Sequence, residues 1–213
     1  MFKNLKNYFI CIGCNYNGSL SGCVNDSKEM FNTFSKIDNE EIYLINDQET
    51  PVTVELLRNR IKEIHEMSKN MKYRIVLSFA GHGHSGGKIQ LSDSILSNTK
   101  LFEIINTNSS KLFELILILD SCYSGGFINL KTYKNISNII VITSCNSSQK
   151  SSESISTKYD TKENYYIGVF TYNFTSIINN LIENNQELTI ENIFNNDIWL
   201  IISKIANQSY QIK

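Results

Sequence analysis

Short apolar runs alternate along the chain with stretches in which apolar side chains recur every three or four residues. That alternation predicts strands interleaved with helices. Tyr8–Ile12 is a compact apolar run stopping at Gly13. Met30, Phe31, Phe34 and Ile37 then share one helical face, and Asp26 with Glu29 three residues on has the form of a capping box at its start. Glu41–Ile45 predicts a second strand. Thr50-Pro51 opens the next helix, with proline at its first position and an apolar stripe of Val54, Leu57, Ile61 and Ile64. Tyr73–Phe79 predicts a third strand, which runs into Ala80-Gly81-His82-Gly83.

Leu101, Ile104 and Ile105 predict a short helix. Leu112–Leu119 is almost unbroken in apolar residues, the pattern of a strand buried on both faces, and ends at Asp120-Ser121-Cys122. Ile139–Ser144 predicts a fifth strand, and the polar residues 146–164 a long loop. Phe170, Phe174, Ile177, Ile178 and Leu181 mark another helix; Ile190, Ile193, Phe194, Ile201 and Ile205 mark the last; the tail QSYQI suits a short edge strand. Strands alternating with helices of these lengths predict an α/β fold, with a mostly parallel central sheet and helices on both faces. With no repeat and no linker, residues 1–213 read as a single domain.

Composition narrows the function. The 213 residues are 41% hydrophobic, and 20 basic side chains face 21 acidic ones, so neither nucleic acid nor an anionic membrane surface is an expected partner. No apolar run reaches the roughly 20 residues that cross a bilayer. The N-terminus has no spacer and no small-residue cleavage site, so no secretory leader is expected. Five cysteines, an odd number sitting mostly in or beside apolar runs, point to reduced thiols and a cytoplasmic setting.

Sites on parallel sheets form at the carboxyl ends of the strands. Two strands end there in reactive residues: His82 between Gly81 and Gly83, and Cys122 before Tyr123-Ser124-Gly125-Gly126. If those strands are neighbours, imidazole and thiol share one rim, where the base can activate the nucleophile. Gly83 would let its backbone N–H approach an oxyanion, and the two later glycines would let a peptide pass the sulfur. His82 and His84 lack the further ligands a zinc site needs. Cys11, Cys14 and Cys145 read as packing thiols, and His65 and His84 as surface residues.

The segments FAGHGHSGG and ILDSCYSGGF resemble the His and Cys motifs of metacaspases, whose usual forms are SGHG and DSCHSG. IGCNYNGSLSGCVNDS resembles their GCxND segment, and GVFTY their helix opening after the fifth strand. The resemblance implies a caspase-like three-layer sandwich and a cysteine endopeptidase that cleaves after Arg or Lys, through a Cys-His dyad and a thioester. His82 would be the general base and acid, Cys122 the nucleophile, and the N–H groups of Gly83 and Cys122 the oxyanion donors. Asp26, Asp120 and Cys23 would line the specificity pocket, with a helix cap as a further role open to Asp26. Ala80 departs from the family's serine and removes one polar contact there.

Regulation is expected to depart as well. Where the family holds calcium with several acids, Asp93 is the only carboxylate before Glu103, and Ser97-Asn98 stand where acids would be. No cofactor is expected, calcium being disfavoured. The chain reads as a bare catalytic domain and a monomer acting on peptide or protein substrates, able to process itself after Lys131, Lys134, Lys150, Lys158 or Lys162. The contrasting reading is a catalytically silent caspase-like binding module. A relative specific for Asp is disfavoured by like-charge repulsion from Asp26 and Asp120.

Overall fold

Five apolar runs line up as parallel strands of one sheet. The computed structural model describes residues 5–37, 40–107, 111–128, 136–156, 165–195 and 211–212. Its strands are β1 (Lys6–Gly13), β2 (Glu40–Asn46), β3 (Tyr73–Ala80), β4 (Gly83–His84), β5 (Lys88–Gln90), β6 (Ile95–Leu96), β7 (Leu112–Asp120), β8 (Asn138–Thr143), β9 (Glu153–Ser156), β10 (Tyr165–Gly168) and β11 (Gln211–Ile212). The helices are α1 (Cys23–Phe34), α2 (Val54–Met67), α3 (Asn98–Asn106), α4 (Val169–Glu183) and α5 (Ile190–Phe194), with a 3₁₀ turn at Ser124–Ile128. The main sheet runs β11-β8-β7-β3-β1-β2, with β11 antiparallel at one edge, as the tail pattern suggested.

Every residue of β3 is buried, because both faces of the sheet are covered. On one face Ile10, Leu57, Ile61, Leu101 and Phe102 join β1 to α2 and α3. On the other, Phe9, Met30, Phe34, Phe174 and Ile193 join it to α1, α4 and α5. The result is three layers, the expected caspase-like α/β sandwich. Cys11 and Cys14 fall in opposite layers, which fits packing and leaves the two thiols unable to meet.

Several local expectations are corrected. Asp26 does not cap α1: the helix starts at Cys23, with Gly22 at the cap position and no capping side chain of its own. The Gly22 N–H is met instead from another element, by Glu153 Oε1 at 3.3 Å. Pro51 does not open α2, because Val52 is held outside the helix by bonds with Ser92 in both directions and Thr53 caps it through Leu56 N–H. The stretch read as loop contains β9, paired antiparallel with β10. His65 is buried rather than on the surface: its Nδ1 meets the Tyr73 hydroxyl and its Nε2 lies 2.8 Å from the Ile105 carbonyl, where α2 packs on α3. His84 is half-buried, with Nε2 2.8 Å from Gln90 Oε1. Ile201 and Ile205 lie outside the described residues.

The register of the central strands positions the site. β3 and β7 are parallel neighbours, with Ala80 opposite Asp120. The Gly81 N–H donates to the Asp120 carbonyl at 3.3 Å, and the Cys14 N–H to the Ala80 carbonyl at 3.0 Å. The loops after β1, β3 and β7 therefore meet at one carboxyl edge.

Candidate active site

His82 and Cys122 each lie two residues past a paired strand position, so the adjacency of β3 and β7 brings them to the same rim. Both line one pocket of about 70 Å³, together with Cys23, Asp26, Asp120 and Glu153. Cys122 is half-buried, whereas Cys11, Cys14, Cys23 and Cys145 are buried. It stands on a sharp turn. Tyr123 takes a left-handed backbone (φ 59°), which costs a residue with a Cβ about 1–2 kcal/mol, and its N–H is held by the Gln149 carbonyl at 2.7 Å. A Cβ on Gly83 would lie 1.9 Å from the Cys122 carbonyl oxygen, so only glycine lets the His-bearing segment lie this close to the Cys-bearing one.

Burial pushes the Cys122 thiol up, an effect opposed by a hydrogen bond with the Ser151 backbone and by the charge of Lys150. Burial, reinforced by neighbouring His84, pushes His82 down, with Glu153 acting the other way. Both shifts favour a resting pair of neutral thiol and neutral imidazole over an ion pair. A neutral imidazole is competent to take a proton from sulfur as the sulfur attacks.

Asp120 and Asp26 form the acidic end of the pocket. Asp120 Oδ1 accepts from Ser151 Oγ at 2.5 Å, and its Oδ2 accepts from the Thr171 N–H at 3.2 Å and Thr171 Oγ1 at 2.8 Å. Asp26 Oδ1 accepts from the Gly168 N–H at 2.7 Å. Neither carboxylate has a Lys or Arg partner among the described residues. Burial raises both; the charge of Asp120 raises Asp26 further, while hydrogen bonds from Ser151 and Thr171 restrain Asp120. Cys23 Sγ lies 3.7 Å from Glu153 Oε1, and burial, then the charges of Asp26 and Glu153, push its thiol well up. Ala80 lies beside Asp26 and Asp120 with no side-chain polar atom to offer them.

The structure thus gathers all six residues singled out in the sequence: five line the pocket, and Gly83 packs directly beneath Cys122. It adds Glu153, Ser151 and Gly168 to the pocket, and Thr171 behind Asp120. Gly168 and Thr171 sit within GVFTY, a segment noted for its helix rather than its polar atoms. Glu153 lies in the stretch read as loop, where a lone acid among serines carries no signal. Asp93 accepts from the Val54 N–H at 3.1 Å, and Ser97 accepts from the Lys100 N–H at 3.3 Å, so these oxygens serve helix starts. Among the described residues no group of three or more His, Cys, Asp or Glu side chains is arranged to hold a metal ion, and no helix is long and apolar enough to cross a membrane.

The family model for the caspase domain matches residues 6–197. The chain is also similar to Metacaspase-1 of Kluyveromyces lactis, 36% identical over 84 residues that make up 36% of this chain and 19% of that relative. It therefore covers less than a fifth of the relative's length in that alignment. With the family model spanning the five parallel strands, both motif-bearing strand ends and α4, this chain belongs to the caspase-domain family.

Proposed function

We propose that this chain is a cysteine endopeptidase that cleaves peptides after Lys or Arg. The observation that carries the reading is one pocket holding the half-buried Cys122 thiol, His82 and two buried carboxylates that have no cationic partner among the described residues. An ionised buried carboxylate is costly when unpaired. A substrate ammonium or guanidinium entering between Asp26 and Asp120 would favour their charged forms and fix the scissile bond over the sulfur.

In the proposed mechanism His82 takes the Cys122 proton as the sulfur attacks the scissile carbonyl carbon. The oxyanion that forms accepts from the backbone N–H groups of Gly83 and Cys122. Collapse breaks the C–N bond, and the amine leaves with the proton that His82 held. Water then attacks the thioester carbonyl, giving its proton to His82. The C–S bond breaks, the peptide acid departs, and the thiol is restored. No step calls on an ion, and the capping duties of Asp93 and Ser97 support activity without calcium. Five free thiols support a reducing, cytoplasmic setting and an active nucleophile.

The test is a peptide panel varying only the residue before the scissile bond, run on wild type and Cys122→Ala. A peptidyl-Lys ketone warhead, mapped by mass spectrometry, accompanies it. Cleavage confined to Lys and Arg peptides, absent in Cys122→Ala, with the warhead on Cys122, is the expected result. Cleavage after other residues overturns the specificity. No cleavage and no labelling would leave a caspase-like binding module.

A further inference from the structure

We propose that the loop between β1 and α1 is a third component of this site, in which Tyr16 and Ser19 orient His82 so that its Nδ1 serves Cys122. The Tyr16 ring is stacked on the His82 imidazole, with centroids 4.6 Å apart and planes 22° apart. The Tyr16 hydroxyl accepts from the His82 backbone N–H at 3.0 Å and donates to the Gln90 carbonyl at 2.6 Å. One phenol therefore holds this histidine by its ring face and by its main chain. Ser19 Oγ lies 3.0 Å from His82 Nε2.

The loop is itself tightly held. The Asp47 carboxylate accepts from the Asn15 N–H at 2.8 Å and the Tyr16 N–H at 2.7 Å. Those two bonds anchor a turn in which Tyr16 and Asn17 take left-handed backbones, with φ of 50° and 55°. Side chains rarely adopt that region, and such conformations persist where the surroundings over-determine them. Here the strained turn lays the phenol flat on the imidazole and carries Ser19 to its far nitrogen.

The chemistry follows from the two ring nitrogens. In a neutral imidazole one carries a proton and the other a lone pair, and the partner of one nitrogen decides which role falls to the other. With Ser19 at Nε2, Nδ1 is the nitrogen left for sulfur. When Nδ1 takes the thiol proton the ring becomes a cation, its Nε2–H donates to Ser19 Oγ, and the Tyr16 face attracts the new charge. Both residues act through His82 and are positioning residues.

This inference rests on Cys122 and His82 being the reacting pair, and not on the preference for Lys or Arg. Its test therefore begins without substrate. The rate of Cys122 alkylation by iodoacetamide is followed against pH in wild type, Ser19→Ala, Ser19→Thr, Tyr16→Phe and Tyr16→Leu, with His82→Ala as reference. Wild type should show an acid-side step, absent in His82→Ala, that reports the His82 proton. Ser19→Ala and Tyr16→Leu should move that step to lower pH, and Ser19→Thr should restore it. On a cleavable peptide Ser19→Ala should lower kcat about three- to tenfold with KM unchanged, the scale of one exposed hydrogen bond made in the transition state. Should Tyr16→Leu fail to fold, Tyr16→Phe and the exposed Ser19 positions still decide. An unmoved step and unchanged kcat in these variants overturn the proposal. A wild-type profile matching that of His82→Ala overturns the thiol–imidazole pair and this proposal with it. A step that shifts as expected in a chain that cleaves no peptide supports the positioning role and overturns the peptidase reading alone.

Discussion

A Cβ on Gly168 would lie 2.3 Å from Oδ2 of Asp120, so the main chain entering α4 lies directly against the carboxylate that precedes the nucleophile by two residues. The same atom would be 3.1 Å from Asp26 Oδ2. One backbone position thus keeps both acids open toward the pocket. Gly168→Ala should intrude on them while leaving Cys122 and His82 in place. The expected outcome is a loss of about a hundredfold or more in kcat/KM on Lys and Arg peptides, with iodoacetamide alkylation of Cys122 nearly unchanged. Wild-type kinetics in this variant would mean that the substrate side chain binds elsewhere.

Asp120→Asn removes the charge and keeps one oxygen, which can accept from the Thr171 N–H and hydroxyl while the amide NH2 donates to Ser151 Oγ. It should cost Lys and Arg peptides about 2–5 kcal/mol of transition-state binding, the scale of losing one partner of a desolvated charge pair. Reactivity toward a small alkylating agent should hardly change. Parallel loss of both activities would assign Asp120 to the nucleophile or to the fold instead of the pocket.

Asp26→Asn tests what the acidic end does to stability. Burial first, then the charge of Asp120, hold the folded Asp26 carboxyl well above its ordinary value of 3.8. Below 3.8 both folded and unfolded chains carry the proton. As pH climbs from there toward the folded value, the unfolded chain releases it and the folded one does not, so stability falls through that window. Above it, the native state carries a buried anion. The amide oxygen of the variant can still accept the Gly168 N–H. The variant should therefore melt higher than wild type at pH 7–8 and converge with it below about pH 4. Each kcal/mol would appear as about 2–4 °C in a chain of this size. An equal or lower Tm at neutral pH would refute the account.

Much of this site was legible because long-range geometry followed from local pattern. The nearly continuous apolar run of β7 marked a strand buried on both faces, Tyr73–Phe79 marked a second strand, and parallel strands put their ends on one edge. That was enough to bring His82 to Cys122. Glu153 was not legible, because β9 is a short strand held by backbone pairing to β10, and its side chains at 153–155 are exposed and unpatterned. The start of α1 departs from the local pattern for a related reason: Glu153, from far along the chain, accepts from the Gly22 N–H and Asn15 Oδ1 from the Val24 N–H, while Asp26 turns to Gly168. His65 looked like a stripe-edge surface residue until the Ile105 carbonyl and the Tyr73 hydroxyl supplied both ring nitrogens with partners.

Two titrations should separate in the pH profile. The depressed His82 needs to be neutral to accept the thiol proton, so alkylation should fall only below its ordinary value of 6.5. Burial raises Asp26 and Asp120, so protonating them on the acid side adds a loss of affinity for a cationic peptide that alkylation of Cys122 does not feel. The acid limb of kcat/KM for a Lys peptide should then lie at higher pH than that of Cys122 alkylation, with KM carrying the difference. Coincident limbs would show that the pocket acids are ionised throughout.

Self-cleavage is the last expectation, and the lysines differ in consequence. Lys150 is exposed and precedes Ser151, whose hydroxyl holds Asp120 and whose backbone bonds Cys122. A cut after Lys150 would release both, so it should inactivate. Lys131, Lys134, Lys158 and Lys162 lie outside the described residues, the first two between the Cys122 turn and β8. A chain that cleaves after Lys and starts this segment beside its own nucleophile should cut there first. Intact-mass spectrometry of purified wild type and Cys122→Ala, each with EDTA and with calcium, reads the outcome. Cleavage after Lys131 or Lys134 in wild type alone, indifferent to EDTA and with activity kept, is expected. Cleavage that appears only with calcium would assign an ion site to this chain after all. An uncut wild type with full peptide activity would show that the single chain works without processing.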